Sequence, residues 1–445
     1  MSHRNFYRFT SVIVLSMTFN FLLDNVDSSN VLFFNGMGEG SHFSAAAVIG
    51  QELASRGHQV TFLVSNEFKH LAENGKFHSN FEFIIIDTEV LMTPYYAQIT
   101  QARFEGLDLF KNKTFTNEVD EARAQECSFV FSSNFIENLR NRQFDAIVFD
   151  PWWPCCIALG ETLNIKKVVL DPASLSPAFL RAYGLHVNSA FIPEQGTGFP
   201  ENMSFFQRIQ NVLISLRIPV IDQASFNDAL GTHENRPLVA MLQRNKITSY
   251  MDGLSSADLF VSTTDPLLYP DMSESAGHIS VAGLTTKEAM PLPEGLETFL
   301  QSSGDNGVIV LSLGTYVTHM PDKFVAIFRE VFSKLPHKVI WQWKEDFSLN
   351  MTENVRLMKW LPQNDLLGHE KTRLLIYQGG NNGLHEAIYH AVPLLVIPLG
   401  GDQFDVAQRV VDKEIGLKIE VTSVTVESLH NTITTLLVHP KYVQH

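Results

Sequence analysis

Cysteine is scarce in this chain, and the cysteines present do not have the spacing of a metal site. Only three occur among 445 residues, at Cys127, Cys155 and Cys156. Zinc motifs pair cysteines a few residues apart and add a second pair of ligands further along the chain, a pattern that this sequence does not contain. A disulfide framework is therefore not expected, although a single bridge from Cys127 to one of the adjacent pair is left open.

Positive charge is also scarce. Lysine and arginine total 33 against 48 aspartates and glutamates, so the formal net charge is −15. Nucleic-acid binding depends on basic side chains that neutralise phosphates, so we expect no nucleic-acid partner. An anionic ligand would have to be held by local dipoles rather than by a basic surface.

Long apolar runs are confined to the N-terminus, and no other stretch has the length of a membrane span. Two arginines precede an apolar run over residues 9–23, a pattern typical of a secretory signal peptide. We assign residues 1–29 to this segment; the alternative is a buried first helix. N-glycosylation sequons favour the secretory assignment and begin at Asn112, Asn202 and Asn350.

After that segment, short apolar runs alternate with helical patterns. A strand is predicted at residues 30–34, a helix at 43–55 and a strand at 59–64, and a similar unit recurs from 144 to 170. Strand–helix–strand units build parallel sheets. Because a second alternating series runs over 308–438, the predicted fold class is α/β, with two Rossmann-like, doubly wound domains facing across a cleft.

The composition changes between the two series. We assign residues 30–283 to an N-terminal domain, 284–296, which contain two prolines, to a linker, and 297–445 to a C-terminal domain. The stretch 174–251 is rich in Phe, Leu and Pro and is predicted to form helices and loops over an apolar cavity. The first turn lacks the dinucleotide-binding sequence Gly-x-Gly-x-x-Gly, because Ser41 occupies the last glycine position when Gly36 is the first. A dinucleotide-dependent oxidoreductase is therefore disfavoured.

A glycine-rich turn lies between a predicted strand and a predicted helix in the second series. From Gln378 to Glu386 the sequence reads Gln-Gly-Gly-Asn-Asn-Gly-Leu-His-Glu. Glycines let a backbone approach a phosphate, and the start of the following helix offers free N–H groups. Glu386 could accept hydrogen bonds from a ribose diol; the alternative is that it compensates the helix dipole.

Two flanking segments place further candidates at the same sheet edge. Trp360 could stack on a base, with packing in the core as the alternative. Asp402 and Gln403 begin a predicted helix and could bind sugar hydroxyls, with N-capping as the alternative for Asp402.

A histidine and an aspartate are candidates for acid–base chemistry, since transfer of a group to a hydroxyl needs a base for its proton. His42 starts a predicted helix, and we expect the helix N-terminus to keep its ring neutral. Asp150 ends a predicted strand at the same cleft and could orient His42. The alternatives are a capping or surface histidine and an aspartate that caps the next helix.

The run from Trp360 through Gln403 closely resembles the UDP-glucuronosyltransferase/UDP-glycosyltransferase family. The resemblance extends over nearly the whole chain, including residues 40–43 and 312–315. It implies a GT-B fold in which the N-terminal domain binds the acceptor and the C-terminal domain binds the donor. It also implies inverting transfer of a glucuronosyl or glucosyl group from a UDP-sugar to a hydroxyl of a small lipophilic acceptor, giving a β-glycoside and UDP, with no metal and no other cofactor.

By this resemblance each candidate residue has a role. His42 and Asp150 would be the catalytic pair. The donor would be held by Trp360 and Gln363 at the uracil, by Glu386 at the ribose, by Ser312, Gln378, Gly380, Asn382 and Gly383 along the diphosphate, with Thr315 close by, and by Asp402 and Gln403 at the sugar. The resemblance also implies the lumen of the endoplasmic reticulum; it leaves a membrane-surface association open and does not fix the oligomeric state.

Two positions depart from the family pattern. The family usually has His where this chain has Gln378, and often has Arg where it has Gln342. Both differences remove potential positive charge near the nucleotide, so we expect weaker donor affinity or altered donor choice. They also motivate an alternative, in which the protein is a catalytically impaired GT-B protein that binds lipophilic small molecules.

Overall fold

The computed structural model describes residues 28–35, 40–73, 75, 79–229, 242–243, 245–247, 249–269, 275–345 and 349–442. Most of the predicted signal peptide and Gly36 of the first turn lie outside these residues. Within the described ranges, no helix is both long and apolar enough to cross a bilayer.

The first half of the chain forms a seven-stranded parallel sheet. Its strands are β1 (Asn30–Phe34), β2 (Gln59–Ser65), β3 (Glu82–Ile86), β4 (Ala146–Phe149), β5 (Lys166–Asp171), β6 (Leu259–Ser262) and β7 (His278–Ser280). Their order is β3-β2-β1-β4-β5-β6-β7. The central strands are almost continuously apolar because helices cover both faces of the sheet.

Nine helices of the described chain accompany this sheet. They are α1 (Ser41–Ser55), α2 (His70–Glu73), α3 (Thr93–Phe104), α4 (Lys113–Val130), α5 (Ser133–Asn141), α6 (Pro154–Leu163), α7 (Pro177–Ala182), α8 (Phe205–Ala229) and α9 (Tyr250–Ser255). Helix α1 lies close to the sheet because Gly50, which has no side chain, faces the sheet. A Cβ on Gly50 would be 3.1 Å from the ring of Phe62, and Phe43 packs against the same ring with centroids 5.3 Å apart. This packing fixes the start of α1 above the end of β1.

The second half of the chain forms a six-stranded parallel sheet. Its strands are β8 (Val308–Ser312), β9 (Lys338–Gln342), β10 (Val355–Met358), β11 (Thr372–Tyr377), β12 (Leu394–Val396) and β13 (Gly416–Lys418). The helices described in this half are α10 (Glu294–Gln301), α11 (Asp322–Ser333), α12 (Gln363–Leu367), α13 (Asn381–Tyr389), α14 (Gln403–Asp412) and α15 (Val426–Val438). The strand order β10-β9-β8-β11-β12-β13 repeats the order of β3-β2-β1-β4-β5-β6 in the first sheet, which has β7 as an additional edge strand, so both sheets are doubly wound.

Some elements differ from the sequence prediction. Strands β3, β6 and β7 were not predicted, and the segment predicted as a linker, 284–296, includes the first three residues of α10. β3 begins with a charged, exposed residue and lies at the edge of the sheet, but its apolar run 83–86 is typical of a strand and was left out of the prediction.

One disulfide joins α4 to α6, between Cys127 and Cys155, whose Cα atoms are 5.4 Å apart. Cys156 is buried and unbridged. The bridge left open by the sequence is therefore formed, because the fold brings the start of α6 against the end of α4.

Candidate active site

Each sheet has one point at which the strand order reverses, and ligands of doubly wound sheets bind at that point. In the first sheet it lies between β1 and β4, which pair directly. His42 is the second residue of α1, after β1, and Asp150 directly follows β4. The distance from His42 Nδ1 to Asp150 Oδ2 is 2.5 Å. The fold therefore brings together two residues that are 108 positions apart in the sequence.

Asp150 and His42 have different exposures and partners. The side chain of Asp150 is 5% exposed and that of His42 is 18% exposed. The second carboxylate oxygen of Asp150 accepts from the backbone N–H of Trp152 at 3.0 Å. Because a carboxylate only accepts, His42 Nδ1 carries the shared proton, and Nε2 is the nitrogen left to take a proton from a substrate.

The surroundings of His42 are acidic. Burial lowers the pKa of His42, but the Asp150 carboxylate, with smaller contributions from Asp402 and Asp171, raises it by more, so the pKa lies above 6.5. The expectation that the helix start keeps the ring neutral is wrong in direction, because a carboxylate in contact outweighs the partial charge of a helix end. His42 is consequently a stronger base than a free imidazole.

In the second sheet the reversal lies between β8 and β11. Gln378 follows β11, and Gly379 has φ of 101°, which favours glycine. A Cβ on Gly379 would be 2.9 Å from Val396 Cγ1, so no larger residue fits this turn without movement. Gly380 is the N-cap residue of α13, and no side chain caps that helix start. Its first N–H groups therefore have no side-chain cap, and an uncapped helix start of this kind can accept an anion.

The two glutamines that depart from the family pattern lie near this turn. A Cβ on Gly314 would be 2.4 Å from Gln378 Nε2, so the Gln378 amide packs on the glycine of the neighbouring loop. Ser312 Oγ donates to Gln342 Oε1 at 2.7 Å. Lys344 was not among the predicted residues; its Nζ donates to Gly314 O at 3.0 Å and also to the carbonyl of Thr315. Lys344 thus supplies positive charge beside the loop where Gln342 and Gln378 supply none.

The residues predicted to hold uridine lie together at the end of β10 and on α12 and α13. Gln363 Nε2 donates to Glu386 Oε2 at 2.7 Å. Burial, opposed by the Gln363 amide, raises the pKa of Glu386 to about 7. Trp360 is 67% exposed, so its side chain does not serve the core and its ring is free to stack. Gly383 of α13 lies next to Gln363, because a Cβ there would be 3.2 Å from Gln363 Nε2.

The start of α14 faces the first domain. Asp402 is at the N-cap position but its side chain makes no N-cap bond; instead its Oδ2 accepts from the Ser174 N–H at 3.0 Å. Burial raises the pKa of Asp402, against the opposing effects of the Ser174 N–H and the nearby His42. Gln403 Oε1 accepts from the N–H groups of Leu399 and Gly400, so Gln403 fixes the loop before α14.

The halves of the chain touch across the cleft at both reversal points. Asn382 Nδ2 donates to Ser41 O at 3.4 Å, beside His42. A Cβ on Gly40 would be 3.3 Å from Thr315 Oγ1. The start of α1 and the start of α13 therefore face each other.

A row of charged groups on α14 also holds the two halves together. Asp405 accepts from the N–H groups of Gly196 and Gly198 at 2.6 and 2.9 Å. Arg409 pairs with Glu201 at 3.0 Å, and Asp412 accepts from the Glu201 N–H at 2.8 Å. These residues recur at intervals of four and three along α14, so one face of this helix contacts the first half of the chain.

Comparison with known sequences decides the family. The family described as UDP-glucoronosyl and UDP-glucosyl transferase matches residues 31–445. The chain belongs to this UDP-glycosyltransferase family. The protein is therefore a glycosyltransferase that transfers a sugar from a UDP-sugar.

Individual relatives resemble this UDP-glycosyltransferase in sequence, and a solved structure resembles it in fold. UDP-glucuronosyltransferase 2C1 of Oryctolagus cuniculus is 31% identical over 415 residues, which cover 90% of this chain and 81% of the relative. UDP-glucuronosyltransferase 1-2 of Mus musculus is 29% identical over 421 residues, covering 91% and 75%. Among solved structures, CalG4, the calicheamicin glycosyltransferase, superposes with a TM-score of 0.64 at 16% identity, covering 94% of this chain and 92% of CalG4. This likeness confirms the predicted GT-B fold.

Proposed function

We propose that this UDP-glycosyltransferase transfers a glucuronosyl or glucosyl group to a hydroxyl of a small lipophilic acceptor, with inversion at the anomeric carbon. The observation that carries the proposal is the contact of His42 with Asp150 in a largely apolar cavity that faces the start of α13. A base held in one tautomer on the acceptor side, opposite a phosphate-binding helix start, is the arrangement that direct displacement requires.

In this reaction the acceptor oxygen forms a bond to the anomeric carbon while the bond from that carbon to the diphosphate oxygen breaks. The acceptor proton moves to His42 Nε2, and Asp150 stabilises the imidazolium that results. The leaving UDP keeps the electron pair, and the N–H groups at the start of α13 stabilise its charge. Because one displacement occurs, an α-linked donor gives a β-glycoside.

We propose the following donor contacts. Trp360 stacks on the uracil, Gln363 holds its edge, and Glu386 accepts from the ribose hydroxyls. The diphosphate lies along the glycine turn, near the residues Ser312, Thr315, Gln378, Gly380, Asn382 and Gly383, and the sugar lies near Asp402 and Gln403. The proposal needs no metal or other cofactor, because helix N–H groups supply the stabilisation of the diphosphate.

A direct experiment tests this function. The purified protein is incubated with UDP-glucose or UDP-glucuronate and a simple phenol, and the glycoside is detected by mass and its anomer assigned by NMR. We expect a β-glycoside from at least one donor. An α-glycoside would overturn the inverting mechanism, and binding of UDP without turnover of any donor would favour the binding-protein alternative.

We also propose that the protein enters the secretory pathway and acts in the lumen of the endoplasmic reticulum. The Cys127–Cys155 bridge supports an oxidising compartment. All three sequon asparagines, Asn112, Asn202 and Asn350, are exposed and so accessible to a glycan. Expression in animal cells, followed by glycosidase treatment, should give a downward gel shift that is lost when each sequon asparagine is replaced by Gln; a protein that never carries glycans would contradict the proposal.

A further inference from the structure

Asp171 is a buried carboxylate near the catalytic pair, and the proposed mechanism does not use it. It is the last residue of β5, which pairs with β4, so Asp171 and Asp150 lie at the carboxyl ends of neighbouring strands. Asp171 is 2% exposed. Burial raises the pKa of Asp171 to about 6, and the nearby Asp150 carboxylate adds to the rise against the hydrogen bonds that Asp171 accepts. Above pH 7 two ionised carboxylates therefore interact beside His42.

Trp152 donates one hydrogen bond to each of these carboxylates. Its backbone N–H donates to Asp150 Oδ1 at 3.0 Å, and its indole Nε1 donates to Asp171 Oδ1 at 3.3 Å. The other carboxylate oxygen of Asp150 contacts His42. A hydrogen bond donated to a carboxylate favours its ionised form, so the two N–H groups of Trp152 offset the repulsion between the aspartates. One residue thus links the carboxylate that orients the base to a second carboxylate on the next strand.

The ring of Trp152 is also held by packing. It lies edge to face against Phe179 of α7, with ring centroids 5.1 Å apart and planes at 65°. This contact and the indole hydrogen bond to Asp171 fix the ring from two directions. A phenylalanine in place of Trp152 would keep an aromatic ring for the packing but would have no N–H, so the two contributions can be measured separately.

The segment after Asp171 is fixed from both halves of the chain. The Ala173 N–H donates to Asp171 Oδ1 at 3.1 Å. Thr263 Oγ1 lies 3.3 and 3.2 Å from the carbonyl oxygens of Asp171 and Ala173. From the second half, Asn381 Nδ2 donates to Pro172 O at 3.2 Å and to Thr263 Oγ1 at 2.9 Å. Asp171 is therefore a fixed point against which the Trp152 indole is held.

We propose that Asp171 and Trp152 are positioning residues for the catalytic pair: Asp171 accepts from the Trp152 indole, and Trp152 in turn holds Asp150 against His42. Hydrogen bonds behind a catalytic group keep it within the narrow range of productive geometries. The charge of Asp171 also acts on His42, together with that of Asp150 and, from the second half, that of Asp402. The inference rests on the proposed function and adds residues that set the geometry and basicity of its base.

The first test measures kcat in variants that remove the indole hydrogen bond. Trp152→Phe should lower kcat about 3- to 10-fold, the value of one hydrogen bond, and leave KM for the UDP-sugar largely unchanged. Asp171→Ala should give a similar loss, and the double variant little more, because both changes remove the same interaction. Asp171→Asn keeps an acceptor oxygen, so it should recover most of the wild-type kcat at high pH. Additive losses, or equal kcat in Asp171→Asn and Asp171→Ala, would overturn the proposal.

The pH profile separates positioning from a general loss of structure. Asp171→Asn removes a charge that raises the pKa of His42, so the inflection of kcat should move to lower pH, by less than removal of the Asp150 charge would move it. The matched control is Asp145→Asn, at the opposite end of β4, where Asp145 accepts from the Asn30 N–H. Its inflection should coincide with that of the wild type. An unmoved inflection in Asp171→Asn, or an equal shift in Asp145→Asn, would contradict the inference.

Nuclear magnetic resonance gives a readout that needs no turnover. In protein with isotopically labelled tryptophan, the indole signal that is absent from Trp152→Phe belongs to Trp152. This signal should shift, and its proton should exchange with solvent faster, in Asp171→Ala but not in Asp145→Asn. An unchanged signal in Asp171→Ala would refute the inference. If no variant and no wild type transferred sugar, while this signal and the ring titration of His42 responded as expected, the proposed function would fail and the positioning of Asp150 would stand.

Discussion

The two reversal points share one strand order but present different chemistry. In the first sheet the point holds an ionisable pair, His42 and Asp150, under apolar walls. In the second it holds a glycine turn, the Gln378 amide and an uncapped helix start. The topology is therefore the same at both points, whereas the side chains after the strands differ: an ionisable pair lies in the first sheet and an uncapped helix start in the second.

The largest expected effect comes from removing the base at the first point. His42→Ala should lower the transfer rate by roughly 10²–10⁴-fold, the usual contribution of a positioned general base. UDP binding should change little, because the proposed nucleotide contacts lie in the other domain. Measured kcat and UDP calorimetry check both statements, with the exposed His186→Ala as the control. Retained transfer would remove His42 from the mechanism.

The pH dependence of the transfer rate tests the His42–Asp150 pair at the first reversal point. Transfer needs His42 without a proton on Nε2, so kcat should rise with pH through a pKa above 6.5. Asp150 is the main group that raises this pKa, so Asp150→Asn should move the inflection to lower pH as well as lower the rate. An inflection that stays in place would mean that the two side chains are uncoupled in solution.

At the second point, removal of the stacking surface should have the next largest effect. Base–aromatic stacking is worth about 1–3 kcal/mol, so Trp360→Ala should weaken UDP binding by about 5- to 150-fold. Trp360→Phe should recover most of this affinity. Because Trp360 is exposed, neither variant should lower the melting temperature. Equal UDP affinity in the wild type and Trp360→Ala would place the base elsewhere.

The protonation of Glu386 predicts a smaller, pH-dependent effect. Ribose hydroxyls donate to the ionised carboxylate, whose pKa without nucleotide is about 7. Affinity should therefore be full above pH 7 and fall as the pH drops through 7, by about tenfold for each unit below it. Uridine is the better probe, because it has no phosphate that titrates. Glu386→Gln should flatten the profile, and a flat profile in the wild type would contradict the ribose contact.

The positions of the site residues could be predicted from the sequence more fully than their environments. Strand ends meet at a sheet edge, so Asp150 and His42 could be placed at one cleft from apolar runs alone. The direction of the His42 pKa shift could not be predicted from the sequence, because it depends on a 2.5 Å contact between residues 108 positions apart. The environment of Asn35 could not be predicted either, because an asparagine after a strand is ordinary in sequence, and only the described fold shows its amide buried without a hydrogen-bond partner.

The smallest expected effect concerns Gln378 at the reversal point of the second sheet. Replacing it tests whether a neutral side chain there limits the affinity for the donor. In Gln378→His the ring would replace an amide that packs on Gly314 beside the start of α13. Hydrogen bonds from a charged donor are about twice as strong as neutral ones, so we expect UDP to bind roughly 3- to 10-fold more tightly at pH 6, where the imidazole is largely protonated, and little differently at pH 8. Gln378→Leu, without a donor, should weaken binding at both pH values. If calorimetry gave one dissociation constant for all three proteins, Gln378 would not contact the diphosphate, and its departure from the family pattern would leave donor binding unaffected.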